Sequence, residues 1–357
     1  MKFYDAMQLG ACNLKPLIKE TTDEKLKKRY KIALILKTFL CVLFCMILVT
    51  AFSKIFGVEN SIVGVVTVIA LMTFRFSNLN FKTSQSTLTI LGIFLIFIIS
   101  PYISSIVNPM FGFVVNLISM MIIVVLSCHN VVLSNQSTFI LSYLLLYGYR
   151  VNDFNGYINR VIALIIGGII VAGIFYYKHR KVSFNNTIVD IIKDIDLNTK
   201  RTKWQIKLVL GISSAILLGE LINLPRVMWI GFSVMSIIQP DIEKFEFRIK
   251  SRYPYVIIGC LMFGIVNSVL PQEFRGYIGM LGGIMVGFSA TYKWQTSFNC
   301  FGALAAAIPT FGLGGAIIIR IVNNILGALY SIIFNKIFDN IDEKISGKFN
   351  KDIISQT

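Results

Sequence analysis

Charge in this chain is swept into the gaps between twelve apolar runs, and that segregation limits what it can fold into. The runs lie at about 32–53, 61–74, 86–107, 110–128, 131–148 and 157–177. After a polar insert they resume at about 206–224, 227–239, 253–270, 276–290, 294–310 and 314–335. A soluble chain would carry charge along most of its helices; here 55% of the 357 residues are apolar and mean hydropathy is +0.72. Hydrocarbon as solvent accounts for this pattern, because a backbone in lipid must satisfy its own polar groups. The expected fold is all-α, a polytopic transmembrane helix bundle. A helix needs about 20 residues to cross the membrane. Most runs supply them, so about twelve spans are expected, with ten as the fallback. The second run of each series falls short, and reads as a stubby span or an interrupted helix packed inside protein.

The formal net charge is +16. Nucleic acid is not what this favours, since most Lys and Arg flank the apolar runs, where cytoplasmic retention and anionic membrane lipids account for them. With both termini in the cytoplasm, 27 of the 34 Lys and Arg lie on the cytoplasmic side, counting Lys207 at the cytoplasmic end of its run. Four lie outside (Lys54, Arg150, Arg226, Arg275) and three within spans (Lys37, Arg160, Arg320). Residues 1–31 form a basic cytoplasmic segment with no early apolar core, so no cleavable signal is expected and the first span serves as anchor.

The two series read as copies. Gly64 and Gly231, Gln85 and Arg252, and Gly92 and Gly259 are each separated by 167 residues. Gln136-Ser137-Thr138-Phe139 answers Gln295-Thr296-Ser297-Phe298 at an offset of 159, and Arg160 and Gly167 answer Arg320 and Gly327 at 160. This order implies two tandem parallel six-helix repeats, 32–177 and 206–335, related by an axis along the membrane normal. Between them, 178–205 is expected to be a short cytoplasmic amphipathic linker, its apolar residues recurring at helical spacing from Ile188 to Ile195. A short cytoplasmic tail, 336–357, closes the chain.

Metal chemistry has little to draw on. Cys12, Cys41, Cys45, Cys128, Cys260 and Cys300 contain no CxxC pair, and His129 and His179 stand far apart. No glycine run precedes a Lys-Ser/Thr pair, so no P-loop, no cofactor and no enzyme activity are expected. The candidate substrate-binding residues are polar groups set in apolar runs. Arg160 and Arg320 each lie about one turn inside a span; they are either interfacial anchors that snorkel or guanidinium groups presented to a carboxylate. Asn323 and Asn324 extend the polar face of Arg320. Glu220 is the acid within an apolar run, a candidate proton-coupling group or the ion-pair partner of Arg226. Gln136 and Gln295 open the fifth spans, as anion contacts or as helix-start residues. Trp229 reads as a stacking surface for an aromatic substrate or as an interfacial belt residue.

One stretch carries a resemblance. Pro225 and Trp229 sit four positions apart, either side of Arg226-Val227-Met228, Gln239-Pro240 closes the apolar segment, and Arg252 stands seven residues ahead of Gly259. This order resembles the signature of the fusaric-acid-resistance / aromatic-acid-exporter family. The resemblance implies a multi-pass protein of the cytoplasmic membrane that exports aromatic or other organic carboxylates, driven by the proton gradient. Its six-span unit is also similar to that of plant malate channels, which implies a rival reading as a passive anion channel with the pore between the repeats. A non-transporting membrane scaffold is the third reading. Partners are then a small organic anion, anionic lipids and, compatibly, further copies of the chain as a homo-oligomer. The first series departs from the signature, with Ile62 opposite Trp229 and Gln85 opposite Arg252. Many relatives of that family carry a large soluble cytoplasmic domain; the insert at 178–205 is short, so regulation assigned to that domain is expected to have no carrier here.

Overall fold

A computed structural model describes the backbone of residues 2–151 and 153–354, with side chains through Lys344. Each of the twelve apolar runs lies on a helix, and the described residues include no strand. In chain order the helices are α1 (Phe3–Gln8), α2 (Ala11–Glu20), α3 (Glu24–Phe56), α4 (Ser61–Phe74), α5 (Thr83–Ile106), α6 (Pro109–Ser127), α7 (Gln136–Gly148) and α8 (Phe154–His179). The second series is α9 (Ile188–Lys193), α10 (Lys200–Leu221), α11 (Met228–Ile237), α12 (Ile242–Val269), α13 (Gln272–Arg275), α14 (Ile278–Phe288), α15 (Tyr292–Ala305) and α16 (Ile308–Ile354). Among the described residues seven helices, α3, α5, α6, α8, α10, α12 and α16, are long and apolar enough to cross a membrane. The molecule is a multi-pass membrane protein. The other five apolar helices, with 10 to 14 residues, are too short to cross unaided.

Helix starts follow local chemistry. Asn108 caps α6 ahead of Pro109, Asp153 accepts from the Gly156 N–H at the start of α8, and Thr187 with Asp190 forms a capping box on α9. Each side-chain oxygen satisfies a backbone donor that the first turn leaves over. Near its start α16 breaks at Gly312, whose φ of 66° lies in the left-handed region that favours glycine.

The chain folds as two compact units, each assembled from separate stretches. One comprises the chain up to Ala51 with Lys250–Asn324; the other comprises Phe52–Ile249 with the chain from Ile325 onward. In the second unit the short helices form the interior. Buried residues make up nine of 14 in α4, nine of 13 in α7 and eight of ten in α11. Such burial is compatible with the short second runs being packed inside protein, where neighbouring helices cover their ends. The long helices turn apolar faces outward, with Leu95 and Ile99 on α5, Ile118 on α6 and Ile169 on α8 exposed. Hydrocarbon tolerates that surface, where water would not. Phe74 stacks on Phe139 inside, ring centroids 4.5 Å apart. Two glycines in this unit allow close helix approaches: a Cβ at Gly167 on α8 would strike Thr67 of α4, and one at Gly327 on α16 would strike Ser233 of α11 and crowd the Ile230 carbonyl.

The first unit holds the amino-terminal helices. Ala6, Ala11 and Leu14 of α1 and α2 pack on Tyr30, Ala33 and Leu34 of α3, and Lys37 Nζ donates to the Leu9 carbonyl. Of the basic segment expected at 1–31, α1 and α2 are therefore folded against the first long helix, and the residues from Glu24 form its first turns. At the other terminus the expected tail continues α16 as far as Ile354, and residues 355–357 lie outside the described residues. Lys207 pairs with Asp339 at 2.5 Å and Lys203 with Asp342 at 2.7 Å along this extension.

Candidate functional site

At one end of the second unit α7 runs out in Tyr147-Gly148-Tyr149-Arg150, and α10 runs out one residue beyond Glu220. The loop from α10 to α11 holds two non-glycine residues in the left-handed region, Asn223 at φ 52° and Arg226 at φ 55°. Such backbone is costly and persists only where its surroundings hold it, most often at functional sites. These segments enclose a cleft of about 550 Å³, lined among others by Tyr147, Arg150, Glu220, Asn223, Arg226 and Met228.

Inside the cleft Glu220 accepts a short hydrogen bond from the Tyr147 hydroxyl and a second, of 2.9 Å, from Arg150 Nη2. The carboxylate side chain is 15% exposed and the arginine 45%, so the pair lies at the cleft wall with its cation towards solvent. Arg150 also stands 5.4 Å over the Tyr147 ring, and Arg226 stands 5.0 Å over that of Tyr149. The sequence suggested Arg226 as the partner of Glu220; the pair in the structure is with Arg150, 70 residues away along the chain.

Arg160 backs this site. It is 6% exposed, and its Nε donates to Asn60 Oδ1 at 2.9 Å, its Nη2 to the Glu59 carbonyl at 2.8 Å and its Nη1 to the Tyr149 carbonyl at 2.5 Å. Asn60 in turn donates to the Phe56 and Gly156 carbonyls. Arg160 therefore staples the start of α4 to the segment that presents Tyr147 and Arg150, and its buried position overturns the snorkelling-anchor alternative.

The remaining candidates fall elsewhere. Arg320, Asn323 and Asn324 share one buried turn of α16 in the first unit, where Asn324 Nδ2 donates to the Arg320 carbonyl at 2.8 Å. The matching positions of α8 are the apolar Ala163 and Leu164. Gln295 Nε2 reaches back to the Ser289 carbonyl at 3.1 Å, and Gln136 Oε1 faces the Cys128 thiol at 3.8 Å; each ties a helix start to the loop before it. Trp229 is 1% exposed, a core residue of α11, so the belt alternative fails and no open stacking face is presented. Tyr147, Arg150 and Asn223 were not singled out from sequence. Arg150 did stand out as one of four basic residues outside the membrane, beside a Tyr-Gly-Tyr run, but only the fold brings it to Glu220.

The far end of α7 is built differently. Asn135 is fully buried; its Nδ2 donates to the Asn78 and Ser127 carbonyls, both at 2.9 Å, and its Oδ1 accepts from Ser77 at 2.6 Å. Nearby Arg201 donates to His129 Nδ1 at 2.9 Å and to the Asp194 carbonyl at 2.5 Å. Burial first, and then the Arg201 charge, hold the His129 pKa below its usual 6.5, against the opposing pull of Asp194.

Residues 214–334 match the family described as fusaric acid resistance protein-like. The matched segment contains Pro225, Trp229, Gln239-Pro240, Arg252 and Gly259, and the resemblance read from them is borne out there. Over 152 residues the chain is 26% identical to an uncharacterised protein, ORF2, of Neisseria gonorrhoeae; the alignment covers 41% of this chain and 36% of that protein. No solved structure matches the chain.

Proposed function

We propose that this chain, matched over 214–334 to fusaric acid resistance-like proteins, is a transporter of aromatic or other organic carboxylates in the cytoplasmic membrane. One observation carries the reading. Among the described residues the buried arginines are Arg160, Arg252 and Arg320, and no Asp or Glu is buried to the same degree. Buried charge in a membrane protein is costly and marks pathways, and a cationic interior suits an anionic cargo. Arg320 with Asn323 and Asn324 takes the carboxylate, a planar fork being suited to bidentate pairing. Arg160 positions the cleft residues, and Glu220 is the group that links movement to protons.

The architecture proposed with it is twelve spans in two parallel six-helix repeats, both termini cytoplasmic. The glycine contacts support it: Gly167 lets α8 pack on α4, and Gly327 lets α16 pack on α11, the second helix of each series. Basic residues at 25–31 then meet anionic lipid headgroups.

Flux into proteoliposomes, measured with a panel of carboxylates, tests the reading. Wild-type protein should move at least one of them, Arg320→Gln should lose most of that flux at matched protein levels, and Arg320→Lys should recover part. Wild-type flux in Arg320→Gln would sink the role of Arg320. Flux that only follows the anion's own gradient would point to a channel, and absence of flux to a scaffold.

A further inference from the structure

Glu220 already makes, within the cleft, the contacts that an incoming carboxylate would make: one to the Arg150 guanidinium and one to the Tyr147 hydroxyl. The cleft, at about 550 Å³, falls in the range of small-molecule sites, and it sets Met228, Val107 and Pro109 beside the polar groups. An apolar wall beside a cation is chemistry for an organic anion with an apolar body. We infer that the cleft is a binding site for such an anion, in which Glu220 is a built-in competitor for Arg150. The inference deepens the transport reading, and rests on it only in calling the ligand cargo.

The competition fixes a sign. An ionised Glu220 keeps Arg150 paired, and a bound anion must displace it. Protonation removes the charge of Glu220 and with it the charge-assisted bond to Arg150, while the Tyr147 contact can persist. A proton on Glu220 and an anion on Arg150 therefore favour one another, and re-ionisation of Glu220 expels the anion. The charged and titratable groups around Glu220 are Tyr147 from α7 and Arg150 from the loop after it, which contact it, and Arg226 from the loop before α11, which shares the cleft lining. That loop also carries the left-handed Asn223 and Arg226, both in the cleft lining.

The test is equilibrium binding of benzoate and of benzenesulfonate to the purified full chain in lipid nanodiscs, in alkaline and acidic buffer. The sulfonate stays ionised throughout, so its pH dependence reports the protein. Wild-type protein should bind both probes more tightly in acid. Glu220→Gln should bind about tenfold more tightly in alkaline buffer and lose the pH dependence, and Arg150→Gln should weaken binding about tenfold or more throughout. No binding to folded wild-type protein, weaker binding in Glu220→Gln, or unchanged binding in Arg150→Gln would each overturn the inference. Binding as expected without flux in proteoliposomes would leave the site standing and remove transport; flux undiminished in Arg150→Gln that no longer binds the probes would do the reverse.

Discussion

Around α7, the second unit uses polar side chains in opposite ways at its two ends. Where the helix begins, Asn135 is buried and its amide is spent on two carbonyls and a hydroxyl, with Gln205 adding a bond to the Cys128 carbonyl. Neutral amides satisfied by backbone have no other partner to exchange with, and opening them would strand buried polar groups. Where the helix ends, the pairing is between charges, Glu220 with Arg150, beside an open cleft. Charged groups at a solvent boundary can swap one partner for another at little cost. The difference teaches which end is a closure and which is a site. In the proposed orientation the closed end faces the cytoplasm and the cleft faces outward.

The largest effect should come from Arg160, because the open end owes its rigidity to that residue. Arg160→Ala removes three donors and strands the Glu59 and Tyr149 carbonyls, costing about 3 kcal/mol or more even after relief of the buried charge. Thermal unfolding in detergent should show a much lower melting temperature. A near wild-type melting curve would mean that the staple contributes little and that Arg160 is kept for another purpose.

At the closed end Asn135→Ala should cost about 2 kcal/mol, since Ser77 and two carbonyls lose their partner. By contrast Arg150→Ala, at a half-exposed pair, should cost less than about 1 kcal/mol while weakening probe binding about tenfold or more. Equal losses of stability in the two variants would break the comparison, because both ends would then be structural.

Periodicity and charge made the helices legible, down to the short α4 and α11, because apolar length is a local property. The short α7, α14 and α15 were less so: their apolar runs extend into 3-10 turns and loops, as at Val131–Leu133, that hydropathy does not separate from helix. The site was legible as residue types and not as partners. Glu220 stood out, yet the near arginine, Arg226, looked the better mate than Arg150, which approaches only after α7 and α10 have packed. Arg160 was marked as unusual, but nothing local says that Asn60, a hundred residues earlier, would meet its Nε.

The smallest predicted effect sharpens the comparison by pH, at the closed end. An arginine can only donate, so the bond from Arg201 requires an unprotonated Nδ1 on His129, which leaves the Nε2–H facing Asp194 Oδ2 at 3.8 Å. Protonation puts a hydrogen on Nδ1 against the guanidinium and breaks the bond. The folded-state pKa lies below the usual 6.5, so the unfolded chain takes up its proton first as pH falls. Stability from this contact is therefore complete above about 6.5 and is lost as pH drops through that value towards the folded one. The loss should stay under about 1 kcal/mol, since the group is partly solvated and screened. His129→Gln offers Arg201 an acceptor that does not titrate, and its melting temperature should change less between neutral and mildly acidic buffer than that of the wild type. Hydrogen exchange at 129–135 should rise with acidity in the wild type alone, after correction for intrinsic rates. An identical acid response in both proteins would place the titrating group elsewhere and leave the closed end indifferent to pH.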